Sequence, residues 1–458
     1  MISKIVSKGG IEVGLLGFTN IKPEESASHA ALTCYQDSLP EVGKLIDVKS
    51  RLFNVGHHTT LQHWYATFAI EGVSVGDVTF GLHLASQFYN TDQRSGRFCS
   101  AMFANPDFQA LERYIREYWP EVKDEKISEI MDYLGFAINC YKEHLDVAVA
   151  LSKKHLAKER PKLPEKSLEA NCAKIAQEQM RMFIPIIFPT GLDYTLNLSG
   201  LMALWTSAWN SPMRAMTDMM RDLVLEKYPE ISFMFNPEKR RKDDWSPKPW
   251  KGGLLGRCKD KPEYLLSDVI IGENFVTPNS ADMHPIDLLH FKPEMMDNSD
   301  SVIRAEVHIS CATMGQDQRH RTIKRTKPSF TGFAYLPPLL DEIGLGKKLG
   351  WVMARWDAVS SDLPGTLRTI LAPYGAMVSY KKTGDLNAIM HEMNKRLCWC
   401  TQEEIYHLSV QMREQILRSN PELEDLFSPQ CIKSGSCGEG SRCCGRDLSD
   451  LGFTERKV

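Results

Sequence analysis

Gln316, Arg319, His320 and Arg321, followed after seven residues by Ser329, form the densest set of side chains capable of chemistry in this sequence. In an extended segment Arg319 and Arg321 share one face and His320 takes the other. Paired guanidiniums suit a phosphate or a planar anionic edge, because their forked donors bind bidentately where a lone ammonium cannot. That chemistry points to a nucleotide or dinucleotide. Lys324, Arg325 and Lys327 follow at once, so spacing alone equally allows a solvated basic face.

The elements that must position these residues recur along the chain. Ser95 in TDQRSGRF lies 234 residues before Ser329 in KRTKPSFTGF, and His57 and His63 lie 227 residues before His284 and His290. Each half closes with a helical pattern before a Pro-Glu, at 211–230 and 401–422. Such repetition predicts an internal duplication. Ser211 before Pro212 reads as a helix cap, and Thr401 with Glu404 has capping-box spacing. Apolar residues at helical spacing from Ile127 to Leu145, and an amphipathic pattern over 166–182, make helices dominate 106–228. Tyr65 to Val75 and Val302 to Cys311 alternate like half-buried strands. The expected fold is therefore α+β, with two domains that each pair a small antiparallel or mixed sheet with long helices.

With 458 residues, more than one core unit is expected. The stretch 236–264 concentrates Lys, Arg, Trp, Pro and Gly without periodicity and reads as a linker. It separates domain 1 (1–235) from domain 2 (265–428), which is followed by a Cys-rich tail (429–458). An apolar share of 43% and a charged share of 25% exclude a largely disordered or fibrous chain. The net charge of -3 argues against a general nucleic-acid binder. The N-terminus has no continuous signal core and no apolar stretch is long enough for a membrane span, so a cytoplasmic protein with reduced thiols is expected.

Arg319-His320-Arg321, seven residues and Ser329 resemble the RHR-x7-S motif of the flavin-dependent thymidylate synthases, with Gln316 three residues before the first Arg. The family continues Ser-x-Arg. Here Ser329-Phe330-Thr331 lacks that Arg, whereas the first half has Ser95-Gly96-Arg97 and carries Ala85-Ser86-Gln87 where RHR would stand. Family sites are built across subunit interfaces, so the resemblance implies one composite nucleotide site. Gln93, Ser95, Gly96, Arg97 and Arg181 would come from domain 1, and Gln316, Arg319 and Arg396 from domain 2. The opposite pairing would be dead.

Asn394-Lys395-Arg396 and Thr401 to Ile405 resemble the family's N-L-R, four residues, A-Q-W-E-I segment, which makes Arg396, with Arg319, the catalytic candidate. Arg181 to Pro185 resembles its Arg-x-x-x-Pro helix end; Ala208 and Thr369 are the counterparts of Arg396 and Arg181. For the flavin the resemblance points to His57, Thr59, Arg319, His320 and Arg321, and more weakly to His284. It implies FAD as cofactor, with NADPH and methylenetetrahydrofolate as co-substrates, a small-molecule nucleotide as substrate, and a homodimer of tandem chains. Asn387 and Glu403 depart from the family pattern, so a flavin- or nucleotide-binding relative without synthase activity, or acting on another pyrimidine nucleotide, is the alternative. No metal is implied. Cys431, Cys437, Cys443 and Cys444 could converge on zinc or an iron–sulfur cluster, though their spacing matches no standard set; Cys398 and Cys400 read as structural.

Overall fold

The computed structural model describes residues 4–85, 89–97, 99, 105–250, 252, 256–276, 293–440, 443–448 and 452–458. His284 and His290 lie outside the described residues. The first sheet contains β1 (Ile5–Lys8), β2 (Ile11–Phe18), β3 (Tyr65–Ser74), β4 (Tyr89–Gln93) and β5 (Pro189–Asn197) in the antiparallel order β1-β2-β3-β5-β4. The second contains β6 (Arg257–Lys259), β7 (Glu263–Ile270), β8 (Val302–Ser310), β9 (Lys324–Arg325), β10 (Ser329–Tyr335) and β11 (Ala376–Asp385). Its order is β6-β10-β11-β8-β7, with β9 also on β11 and only β6–β10 parallel. The fold is α+β. Alternation sets β3, where Ala66, Phe68 and Ile70 face the core.

Helices α1 (Asp124–Glu143), α2 (Leu145–Glu159) and α3 (Glu165–Met180) follow the first four strands; α4 (Leu198–Ser207) and α5 (Ser211–Leu225) follow β5. In the second half a short α6 (Cys311–Asp317) follows β8, α7 (Gly346–Ser360) precedes β11, and α8 (Leu386–Arg396) and α9 (Glu403–Ser419) follow it. The same order thus recurs. β3 and β8 both end in a Ser that caps the next turn, and β5 and β11 both end in an Asn or Asp that caps the next helix.

Several expectations change. β5 falls inside the stretch expected to be helical, because Leu192, Tyr194 and Leu196 alternate inward against β3 and β4. Asn210 rather than Ser211 caps α5, accepting from the Met213 amide. Thr401 and Glu404 form no capping box. The Thr401 hydroxyl donates to the Arg396 and Cys398 carbonyls, while Glu404 accepts from the Ser310 amide and from the hydroxyls of Ser310 and Thr313. Nor is 236–264 all linker: β6 and the start of β7 lie within it and join the second sheet.

The halves share one hydrophobic core instead of two. They meet around a Pro185–Pro373 bridge, where the Ile186 amide donates to the Ala372 carbonyl (2.9 Å) and the Tyr374 amide to the Ile184 carbonyl (2.8 Å). The contact is reciprocal, since Gly76 N–H binds the Ile186 carbonyl (2.8 Å) as Ala312 N–H binds that of Tyr374 (3.1 Å). Gly76 has to be Gly, because a Cβ there would lie 2.7 Å from Ile370 Cγ2.

Candidate functional site

A cavity of about 170 Å³ opens at this junction, lined by Gln93, Ser95, Gly96, Arg97 and Arg181 from the first half and by Gln316, Arg319, Tyr374 and Arg396 from the second. All eight substrate-site residues named from the sequence therefore border one space. Local structure explains how. Ser95-Gly96-Arg97 follows β4, the Arg97 amide binds the Ser95 hydroxyl (3.3 Å), and Gln177 of α3 holds the Gly96 carbonyl (3.0 Å). Arg181 stands just past the end of α3, and Arg396 is the last residue of α8. Gln316 lies in the last turn of α6, and Arg319 follows in a turn; the segment is not extended as the motif alone implied.

Five arginines border this small cavity, Arg94 paired with Glu71 and the four others named above, and they make it an anion site. Their partners differ. Arg319 is exposed; its amide donates to the Gln316 carbonyl (3.3 Å), and its guanidinium has no hydrogen-bond partner among the described residues. Arg97 pairs with the buried carboxylate of Glu178 and donates to the Cys400 carbonyl (3.0 Å). Arg181 lies over the Tyr374 ring (5.1 Å) and donates to the Gln402 side-chain oxygen (2.9 Å). That oxygen also accepts from Gln316 Nε2 (2.6 Å), so one buried amide ties together anion-site residues from both halves. The Arg181 Nε and Gln316 Oε1 atoms are buried without a partner among the described residues, which leaves a donor and an acceptor for a ligand.

Arg396 is partly buried, and that burial brings its guanidinium down to about 10, still cationic at neutral pH. Its Nη2 donates to the Gln316 carbonyl (2.6 Å) and its Nε to His320 Nε2 (2.8 Å). His320 does not line the cavity; it sits beneath Arg396, its Nδ1 3.3 Å from His391 Nδ1. Burial, then the charge of Arg396, hold His320 well below its usual range, and burial lowers His391 to about 4. With Nε2 accepting from Arg396, the His320 proton belongs on Nδ1 and is donated to His391. Below this pair, Asp317 accepts from Arg325, Lys382 (3.0 Å) and Tyr380 (2.7 Å), and Lys382 also binds Glu392 (2.7 Å). The network locks β9, β11 and α8 beneath the catalytic candidate.

A second cavity of about 390 Å³ shares Gln93 and Arg319 with the first and adds His83, Tyr89, Asn90, Gln318 and Arg321. Arg321 lies over the Tyr89 ring (4.6 Å) and donates to Asn90 (3.1 Å). His57 and Thr59 sit on an exposed turn and border neither cavity. Ala208, the residue matched to Arg396 from the sequence, borders another cavity of about 250 Å³, whose walls are Phe80, Leu84, Trp209, Met213 and Trp245 together with the basic residues Arg241, Arg325 and Lys327. The expected linker closes that side: Trp245 packs on Trp209, and Trp250 packs on Phe330 and Trp356.

Sequence reasoning missed Glu178, Gln402, Asp317 and His391, whose roles arise from partners distant along the chain. Glu403, noted only as a departure, is fully buried beside Tyr335 (3.4 Å), and burial, then Glu178, push its carboxyl up to about 8 from 4.5. The native state holds a proton that the unfolded chain releases, so stability falls as pH climbs from about 4.5 to about 8. Glu403→Gln abolishes this pH dependence. Urea unfolding at pH 5 and pH 8 should show a smaller loss in the variant than in the wild type, and equal losses would refute the assignment.

Residues 15–230 match the model of the family described as thymidylate synthase complementing protein. Among curated proteins none matches the chain. Two solved structures of thymidylate synthase X from Helicobacter pylori, both with FAD and dUMP, are similar. One is 22% identical over 49% of this chain and 99% of that one, with a TM-score of 0.33; the other is 21% identical over 50% and 99%, with a TM-score of 0.32. The matched stretch, a little under half of the chain, carries the Ser95-Gly96-Arg97 arm and Arg181.

Proposed function

We propose that the chain is a flavin-dependent thymidylate synthase that methylates deoxyuridylate at one composite site between its two halves, the second half being a diverged copy of the first. The reading rests on a single observation: Gln93, Ser95, Gly96, Arg97 and Arg181 share one cavity with Gln316, Arg319 and Arg396. The cavity beside Ala208 is walled mostly by aromatic and aliphatic side chains, and although Arg241, Arg325 and Lys327 also border it, it has no guanidinium at the place matched to Arg396, so one nucleotide is bound per chain. The functional unit is a homodimer of tandem chains.

Uracil C5 becomes nucleophilic only as negative charge develops on the ring. Arg396, pinned by the Gln316 carbonyl and His320 in a poorly solvated site, supplies a fixed cation for that charge near N3 and O4 without reorganising. Arg97, Arg181 and Arg319 hold the phosphate, assisted by the Ser95 hydroxyl and the Gly96 backbone. The second cavity, with two guanidiniums and three side-chain amides, suits the polar, anionic part of FAD, held by Arg319 and Arg321. Reduced FAD supplies the hydride, methylenetetrahydrofolate the carbon, and NADPH the reducing equivalents.

The Arg97–Glu178 pair favours a second reading, a nucleotide binder without synthase activity, because a phosphate must share Arg97 with a buried carboxylate. Full-length protein loaded with FAD decides between them. Deoxyuridylate-dependent oxidation of NADPH-reduced flavin, with thymidylate formed from methylenetetrahydrofolate, is expected. Deoxyuridylate binding without thymidylate would establish the binder, and no binding would overturn both readings.

A further inference from the structure

The loop of residues 397–402, between α8 and α9, carries contacts that join the two sides of the anion site. The Gln402 side-chain oxygen accepts from Arg181 and Gln316, and the Cys400 carbonyl accepts from Arg97. Three residues of the site thus depend on where this loop stands. It contains no helix or strand, and the tail reaches back to hold it. Arg456 is buried and donates to the carbonyls of Trp399 (2.9 Å) and Thr401 (2.5 Å), so it grips the backbone on both sides of Cys400 and directly before Gln402. Arg160, just past α2, also donates to the Trp399 carbonyl (2.9 Å). The next tail residue ties the grip to the first half: the Lys457 carbonyl accepts from Gln179 Nε2 (2.7 Å), close before Arg181, and the Lys457 amide donates to Glu159 (2.9 Å).

We propose that Arg456 is a positioning residue for the composite site: by fixing the backbone of residues 399–401 it keeps Gln402 where one side-chain oxygen accepts from Arg181 and Gln316 together. The link to the nucleotide rests on the function proposed above; the hold on the loop does not. A planar guanidinium fork reaching two carbonyls fixes both the position and the tilt of the segment between them, which a single ammonium cannot do. Each of these bonds is charge-assisted, because Arg456, although burial and then the charge of Arg160 bring it down to about 10, is still a cation at neutral pH. Without the fork the loop turns more freely, and the Gln402 oxygen loses its simultaneous hold on the two donors. Deoxyuridylate then has to order Arg181 and Gln316 as it binds, so the cost appears in its affinity. No residue of the tail lines the cavity; Arg456 acts through the loop alone.

Titration of full-length, FAD-loaded protein with deoxyuridylate, joined to hydrogen exchange, tests both parts. Arg456→Lys should weaken binding about tenfold, the loss of one charge-assisted contact, and Gln402→Ala by a similar factor. Because the first acts through the second, the double variant should lose much less than the product of the two losses. A purely structural role for Arg456 would instead let the losses multiply, and that result, or wild-type affinity in Arg456→Lys, would overturn the proposal. Amide exchange at residues 397–404 should rise in Arg456→Lys while α5 exchanges as in the wild type. That measurement reads the hold on the loop even if the wild type binds no deoxyuridylate and the synthase reading has failed; unchanged exchange at the loop, or an equal rise throughout the chain, would refute it. Should Arg456→Lys not fold, Gln179→Ala, which unties the tail from α3, replaces it in the same cycle with an expected loss of about threefold, and wild-type affinity there would be equally fatal.

Discussion

Arg319→Ala should weaken deoxyuridylate binding by about 10- to 100-fold, the loss of one or two charge-assisted hydrogen bonds. Arg319 belongs to the second half, outside the residues that match the family, yet it borders both the nucleotide cavity and its neighbour. The same substitution should therefore lower FAD retention, whereas Arg97→Ala should spare it, since Arg97 lines only the first cavity. Arg97→Ala should cost at least as much nucleotide affinity, because it removes a cation and leaves Glu178 buried and unpaired beside the phosphate. Adding Glu178→Gln should restore stability but not affinity. Isothermal titration of each variant with deoxyuridylate checks the set; wild-type affinity in either single variant would dismantle the composite site.

What the sequence made legible was the chemistry that depends on residue type and local spacing. The arginines and the Ser-Gly-Arg arm, matched to a known pattern by type and spacing, border one cavity in the fold. β3 and β8 were readable because their alternation has one buried face. β5 was not, since Pro189 to Asn197 is buried on most of its length and shows a weaker period. The Thr401–Glu404 spacing was right for a capping box, but the Ser310 and Thr313 hydroxyls, nearly a hundred residues away, took Glu404 instead. His320 fitted a cofactor contact by type, and only the packing of α8 turned its ring toward Arg396 and His391. The return of the tail to the loop between α8 and α9 was not legible either, because Cys444 packs with Trp399 and Tyr406, and Arg446 lies over Trp399, only once the chain has folded.

The largest stability effect should come from Asp317→Asn, at about 3–5 kcal/mol, the usual cost of breaking a buried ion pair from one side. Asp317 is fully buried and answers two cations, Arg325 and Lys382, as well as the Tyr380 hydroxyl. Asn keeps the shape but removes the charge, leaving both cations to share Glu392. Burial pushes the Asp317 carboxyl up, yet Arg325 and Lys382 outweigh it and hold it well below the usual range. Glu392 is raised, since burial and Asp317 act against its single cation. A depressed carboxyl contributes stability that is present above the unfolded value of about 3.9 and is lost as pH falls through the folded one. The gap between wild type and variant should therefore be wide at pH 7 and narrow in acid. Because β9, β11 and α8 meet at this network under His320 and Arg396, the variant should also bind deoxyuridylate more weakly while still folded. Urea unfolding across pH, with titration of the folded variant, tests this; a pH-independent difference, or one under about 1 kcal/mol, would show that the network is not what holds Arg396 in place.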